Sequence, residues 1–395
     1  MFRKTTNEFA SRINTKPILI WLALPLFVVP AFCQVGHVHE LYYNNAGWVD
    51  TDLTAAAGGP PATFYGSITA FPTTPNDQLH VYYVDANSQH VHQLYYNGTS
   101  WSDNDLTAFT GGPTASAYGI SGFAIGNLQY IFYQGSDSHV HELDYNNADW
   151  TDSDLTDLGG GTLAGGGPVL AFATKPNNEP HVFYQAASNL DLHQLYFDGT
   201  AWSDSDLTSI NGASCYTSWI AGFAVKNEQH VFCPGYGTYS NNLDMLHIYY
   251  NNSSWVYEDI TYKVGGFRTP INLGSGVAAF HVPGVNQFEV YGVTDDTHVH
   301  QFTHLKGKWT DEDLTASIGA PDDAAYGGMV AFPTTPNNQF HAYYQPGSDV
   351  DQIYFNGTNW AWEDLNGGTG QANNNTGMAG FAIGNLQHVY YVANY

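Results

Sequence analysis

Basic residues are scarce in this chain of 395 residues: ten Lys+Arg stand against 36 Asp+Glu, a formal net charge of −26. Four of the ten, Arg3, Lys4, Arg12 and Lys16, fall in the first 16 positions alongside one acid, Glu8. Everything after that start carries 35 acids against six bases, a charge of −29. Such a surface repels phosphate backbones and anionic headgroups, which argues against nucleic acid or a charged membrane as a partner. Cysteine is rare too, with three residues and no Cys-x-x-Cys, so a thiolate zinc finger is excluded. Charged residues make up only 12% of the chain, whereas aromatics reach 15%. Disordered acidic chains are poor in aromatics, so this one folds.

A long apolar run is also missing. The nearest approach is Pro17 to Phe32, broken by Pro25 and Pro30, which is short of the ~20 residues a spanning helix needs. A basic head followed by a short apolar core is the layout of a secretory signal peptide. The expected cut follows Cys33, which places Ala31 and Cys33 at −3 and −1 and leaves Gln34 as the new N-terminus. Acylation of Cys33 is the alternative, disfavoured by bulky Phe32 before it. The expected protein is secreted or periplasmic, with no stable membrane insertion. Its two remaining cysteines, Cys215 and Cys233, are 18 residues apart and are candidates for one disulfide; two separate buried thiols are the other reading.

What the sequence has in abundance is repetition. His-Val-His-Gln-Leu-Tyr-Tyr-Asn-Gly-Thr-Ser-Trp-Ser-Asp-Asn-Asp-Leu-Thr at 90–107 returns along the chain, with Trp48, Trp101, Trp150, Trp202, Trp255, Trp309 and Trp360 as markers. Their spacings of 53, 49, 52, 53, 54 and 51 residues define seven units. With 41 Gly and 18 Pro to make turns, a period of this size reads as a propeller blade. In the first unit the expected strands are a, Ser67–Pro72; b, Leu79–Asp85; c, His90–Tyr96; and d, from Trp101 to Thr107. Asn97-Gly98 between c and d is a hairpin signal.

The fold class expected is therefore all-β, a seven-bladed β-propeller of four-stranded antiparallel blades. The blades are expected at about 66–112, 119–161, 168–213, 218–266, 276–320, 328–371, and 378–395 joined to 35–59. In the last, the chain ends supply two strands each: His37–Leu41 opens strand c, while Gly380–Ile383 and Gln387–Val392 supply a and b. Residues 34–395 thus form one domain after a signal peptide at 1–33, its ring closed without open edges.

The His-Val-His-Glu/Gln-Leu-Tyr, Trp-x-x-x-Asp-Leu-Thr and Gly-Phe-Ala units resemble those of the bacterial PLL-like seven-bladed propeller lectins and, more distantly, the six-bladed fungal fucose-specific lectins. The resemblance spans essentially the whole chain after the leader. It implies binding of fucose and related sugars in clefts between adjacent blades. The fungal type of site uses an Arg–Glu pair in each cleft, and past the leader this chain has one arginine, Arg268. That mode of recognition cannot recur seven times here.

Four units carry His-x-His: His37/His39, His90/His92, His139/His141 and His298/His300. The other three put Asp191, Met245 and Asp349 at the first position. Alternate residues share a strand face, so each pair could present two imidazoles to a metal. Recurrence favours packing instead, and neither a metal nor a cofactor is expected. A second set, His80, His181, His230, His341 and His388, opens strand b. Carboxylate pairs follow the tryptophans, at 50/52, 103/105, 152/154, 204/206 and 311/313, with Glu258/Asp259 and Glu363/Asp364 in the remaining two units. A catalytic dyad is normally unique, so pairs in every unit read as turn caps and blade-to-blade hydrogen bonds, with the tryptophans packing between blades.

No Gly-x-Ser-x-Gly elbow and no His-Glu-x-x-His occurs, and one arginine cannot form the triad that sialidases use on a carboxylate. The chain is read as a non-enzyme. Binding is expected on the face carrying the b–c and d–a connections, which present the first histidines His37, His90, His139 and His298 and the aromatics Tyr65, Tyr118, Tyr216, Trp219 and Tyr326. Sugar C–H groups stack on aromatic faces while hydroxyls take polar edges. Glycans or glycoconjugates are the expected partners. A protein-interaction propeller is the rival reading, and a glycan-active hydrolase a weaker one.

Overall fold

The computed structural model describes residues 35–63, 66–215, 219–236, 243–265, 276–323, 327–367, 372 and 376–394. The leader assigned to 1–33, with its cut after Cys33, lies outside them. Seven antiparallel sheets are present, each built on four strands in sequential order. Blade 1 comprises strand a Ile68–Thr73, b Gln78–Val84, c Val91–Tyr96 and d Trp101–Asp105. The a strands of blades 1 to 7 contact one another in a closed order.

Blade 7 is split as expected. Its strands a (Ala379–Ile383) and b (Leu386–Asn394) come from the C-terminal side, and c (Val35–Tyr43) and d (Trp48–Asp52) from the N-terminal side. The b–c seam runs from Gly36↔Asn394 to Tyr43↔Gln387. Pairing the two ends completes blade 7 and leaves neither terminal strand of the seam, b or c, as an exposed edge.

In blades 2, 4 and 7 strand a carries a glycine where strand b lies too close for a side chain. A Cβ on Gly222 would stand 2.4 Å from the His230 carbonyl oxygen, and one on Gly122 2.7 Å from that of Tyr130. The core is not one mass but seven clusters, one at each blade interface. In each, the tryptophan opening strand d packs on a fully buried strand b ring of the preceding blade: Trp150 on Tyr82, Trp255 on Phe183, Trp309 on Phe232 and Trp48 on Tyr343. These four pairs meet edge-on at 6.0–6.3 Å. Trp101, Trp202 and Trp360 sit in equivalent clusters with Tyr390, Phe132 and Tyr291.

One expectation is corrected. Strand d does not run through Asp-Leu-Thr; it stops at the aspartate, and a single helical turn follows in six of the blades: Leu53–Ala57, Leu106–Thr110, Leu155–Gly159, Leu207–Asn211, Ile260–Lys263 and Leu314–Ile318. The aspartate is the N-cap; in blade 1 Asp105 Oδ1 accepts from Ala108 N at 2.9 Å. Five of the turns end on a glycine in the left-handed region, such as Gly111 at φ 75°. The leucine is buried, and the threonine hydroxyl accepts from the first N–H of strand c, as Thr107 Oγ1 does from Val91 N at 2.9 Å. Each residue of the motif has its own task in that cap.

Cys215 and Cys233 are joined in a disulfide, their Cα atoms 5.7 Å apart. It ties the short strand Ser214–Cys215 to strand b of blade 4, Glu228–Tyr236. Replacing Asp105 with Ala removes the cap and its histidine partner; the expected loss is about 1–2 kcal/mol in urea unfolding, with the ring still formed by far-UV circular dichroism.

Candidate functional site

The histidine pairs of strand c and the carboxylate pairs of strand d face each other across their hairpins. The first histidine donates from Nδ1 to the second carboxylate: His37 to Asp52 at 2.7 Å, His90 to Asp105 at 2.8 Å, His139 to Asp154 at 2.6 Å and His298 to Asp313 at 2.8 Å. The second histidine binds the first carboxylate, as His92 does Asp103 and His300 does Asp311. These bonds lie within a blade rather than between blades. A blade-to-blade carboxylate bond occurs elsewhere: Trp309 Nε1 donates to Glu258 at 3.0 Å. Register also places Asp244, not Met245, opposite the b-strand Gly235, and Met245 N bonds Thr261 as Val91 N bonds Thr107. Asp244 is therefore blade 4's counterpart of His90.

Of the aromatics expected at the site, Tyr65, Tyr216 and Tyr326 lie outside the described residues, as does Arg268. Tyr118, half exposed, and Trp219 both lie at one end of the ring axis. They line a cavity of about 600 Å³ walled by strand a segments, with Ile68, Val169, Val277 and Met329 among its apolar residues. The structure thus separates the histidines, committed to carboxylates, from the aromatics that border the axis.

A different cleft opens between blades 2 and 3, by the a–b and c–d turns, on the opposite side from the helical turns. It has a volume of about 460 Å³ and is lined by Tyr130, Glu142, Asn178, Phe197, Asp198 and Trp202 among others. Glu142 lies in strand c of blade 2 (Val140–Tyr145) and is 8% exposed. Burial, reinforced by the charge of Asp144, pushes its carboxyl up to about 8. Among the described residues its side chain has no hydrogen-bond partner.

That isolation is specific to blade 2. In blade 1 the Nε2 of the counterpart, Gln93, lies 2.9–3.0 Å from His80 Nδ1, the Tyr82 hydroxyl and Gln129 Oε1 of the next blade, so its two N–H groups are satisfied within the interface. Blade 6 repeats this with Gln352, His341, Tyr343 and Gln387, and blade 3 in part with Gln194, His181 and Gln229. In blade 7 Glu40 accepts from His388 and Tyr390, in blade 5 Gln301 donates to Glu289, and in blade 4 His230 and His247 bond each other. In blade 2 the three partners have become Tyr130, Phe132 and, across the interface, Pro180. None of them reaches the carboxyl with a hydrogen bond. Burial also holds His80, His181 and His341 down to about 4, so these histidines are neutral near pH 7.

Sequence reasoning assigned Trp202 to packing and passed over Tyr130, Glu142 and Phe197. The signal was available. The strand b histidines occur in five units, and the gaps in that series are Tyr130 and Glu289. Only by aligning strands c and b together does the loss of every partner around Glu142 become visible.

Residues 19–159 match the family model of the fungal fucose-specific lectins. Among solved structures, the chain is similar to the BP39L lectin from Burkholderia pseudomallei, with a TM-score of 0.62 and 17% identity over 82% of this chain and 95% of that one. It is similar to an Aleuria aurantia lectin variant in complex with Fucα1-6GlcNAc, with a TM-score of 0.52 and 17% identity over 76% and 96% of the two chains. It is also similar to the SapL1 lectin in complex with α-methyl fucoside, with a TM-score of 0.52 and 16% identity over 77% and 97%. No curated protein sequence matches the chain. The likeness to propeller lectins expected from the repeat motifs is present, and at these identities the structural matches show the fold.

The buried carboxyl makes a testable contribution to stability. Glu142 ionises near its ordinary 4.5 when unfolded and near 8 when folded. Between these values the unfolded chain binds fewer protons, so stability falls as pH rises through that window. Glu142→Gln is expected to gain Tm relative to the native chain from about pH 4.5 upward, levelling off above about pH 8. A Tm difference independent of pH would show that the carboxyl is not held uncharged.

Proposed function

We propose that the chain is a non-catalytic, secreted or periplasmic lectin that takes a neutral sugar of the fucose type in the cleft between blades 2 and 3. The observation that carries this is Glu142: a carboxyl buried in a cleft, without a partner in the protein, beside the rings of Trp202, Tyr130 and Phe197. An unpartnered buried acceptor costs about 1–3 kcal/mol, which a ligand hydroxyl would recover. A protonated carboxyl both donates and accepts, matching adjacent hydroxyls on one sugar edge, while an indole supports the C–H face. Asn178 and Asp198 add polar groups at the rim.

The family match and the sugar-bound lectins of similar fold support the choice of ligand class. The basic and apolar leader, together with the Cys215–Cys233 disulfide, supports an oxidising, extracytoplasmic setting. In the other described blades the group equivalent to Glu142 is already hydrogen-bonded, which favours fewer than seven working clefts of this kind.

Two other readings start from particular observations. The axial cavity with Tyr118 and Trp219 has the volume for a sugar on the opposite face. A hydrolase would use the raised Glu142 as a general acid with a second carboxylate across the cleft. Glycan-array binding, inhibition by free monosaccharide and a reducing-sugar assay separate them. The lectin reading expects monosaccharide-inhibitable binding and no sugar release. Trp202→Ala and Glu142→Ala are each expected to weaken binding at least about 10-fold, in line with loss of a stacking ring or a buried hydrogen bond, while Tyr118→Ala leaves it unchanged. The reverse ranking moves the site to the axis, and a folded chain that binds no glycan removes the proposal.

A further inference from the structure

The end of blade 5 that carries its helical turn gathers four side chains whose contact atoms all lie within 4.8 Å of one another: Asp296, His298, His300 and Asp313. We propose that this cluster is a transition-metal site of the zinc class, with Asp296 Oδ2, His298 Nδ1, His300 Nε2 and Asp313 Oδ2 as ligands, His298 Nδ1 releasing to solvent the proton it shares with Asp313 in the metal-free chain. This goes beyond sugar binding and departs from the sequence expectation of no metal.

The first argument is distance. His298 Nδ1 lies 2.8 Å from Asp313 Oδ2 and 3.7 Å from Asp296 Oδ2, and His300 Nε2 lies 3.7 and 3.9 Å from the same two oxygens. Tetrahedral ligands at zinc–nitrogen and zinc–oxygen distances of about 2.0–2.2 Å stand about 3.3–3.5 Å apart. The four atoms straddle that spacing, so small rotations bring them onto one ion.

The second argument is that most of the remaining polar atoms of these side chains are already occupied. Asp296 Oδ1 accepts from the Thr294 hydroxyl and from His298 N at 3.1 Å. Asp313 Oδ1 caps the helical turn at Ala316 N, 2.9 Å away. His300 Nδ1 is 2.9 Å from Asp311, and His298 Nε2 faces Asp322 at 3.5 Å. A carboxylate behind each imidazole is the arrangement that fixes a ring's orientation and raises its basicity as a metal ligand.

The third argument is His300 itself. The residue is 6% exposed, and its Nε2 is buried with no hydrogen-bond partner. With Nδ1 committed to Asp311, Nε2 is turned toward two carboxylate oxygens, an arrangement that a cation shared between the three atoms would satisfy. Asp295, Asp296, Asp311, Asp313 and Asp322 concentrate negative charge here, and no lysine or arginine pairs with any of them among the described residues. Two imidazoles exclude a hard-cation calcium site and favour zinc, cobalt or nickel.

The repeat supplies an internal comparison. Blade 2 has the same four residue types, Asp137, His139, His141 and Asp154, but there His141 Nε2 and Asp137 already meet at 3.1 Å. Blades 7 and 1 keep the histidine pair and place Val35 and Ser88 where Asp296 stands. They lack the fourth ligand.

The test uses the chelator-treated chain carrying His139→Gln, which disables the blade 2 copy, titrated with Co2+ and then Zn2+. One equivalent of Co2+ is expected, with the visible bands of a tetrahedral ion, displaced by one equivalent of Zn2+. Adding Asp296→Asn or His300→Gln is expected to abolish those bands, and Asp322→Asn to weaken affinity about 10–100-fold. Zn2+ should raise Tm in the parent and not in the Asp296→Asn chain. Asp296 is at the surface, so its variant folds even where the buried His300 variant does not. Absence of Co2+ uptake by a folded parent, or uptake unaltered by Asp296→Asn, overturns the site.

Discussion

The ring stands on one contact repeated around it: a fully buried strand b ring of one blade met by the tryptophan that opens strand d of the next. Edge-on aromatic pairs add about 0.5–1.5 kcal/mol beyond the apolar area they bury. The more important effect is positional. Because each blade's core belongs equally to its neighbour, no blade completes its packing alone, and the split blade 7 must close for two of the seven clusters to exist. The tryptophan period of about 52 residues that was legible in the sequence is the trace of that contact.

The same contact creates a polar problem and, in one place, leaves an open cleft. Strand c sends a glutamine, glutamate or histidine into the interface beside the aromatic pair. Where strand b supplies histidine and tyrosine, and the next blade supplies glutamine, that group is satisfied and the interface is closed, as at Gln93 and Gln352. Phe132 and Pro180 bring no hydroxyl or amide to Glu142, and Tyr130 in place of histidine leaves the carboxyl facing a cleft. The proposed site is thus a departure from the repeat, not a copy of it.

This also explains what could be read from the residues alone. The architecture was legible because its signal is periodic and occurs seven times: strand order, blade number and the terminal seam follow from alignment of the tryptophans. The helical turns were hidden by their brevity, since Asp-Leu-Thr continues the polar and apolar alternation of strand d until the left-handed glycine ends it at Gly111 or Gly160. The isolation of Glu142 was hidden because it depends in part on Pro180, 38 residues away in sequence and next to it only across a blade interface. Single-residue substitutions that matter through a neighbour's absence leave no motif.

The two faces of the ring consequently carry different chemistry. At the helical turns, acids are hydrogen-bonded to imidazoles on the same hairpin, so the histidines of His-x-His are not free to approach a hydroxyl. At the opposite turns, the tryptophans open strand d beside hairpins such as Asn97-Gly98, and rings flank the gaps between blades. A chain with a net charge of −26 that is to bind an uncharged ligand gains from this separation. Its carboxylates are held where they cap helices and orient imidazoles, and the one left in an aromatic cleft is buried deeply enough to keep its proton near pH 7. A neutral carboxyl among rings suits a sugar; an ionised one in the same cleft would favour a cation.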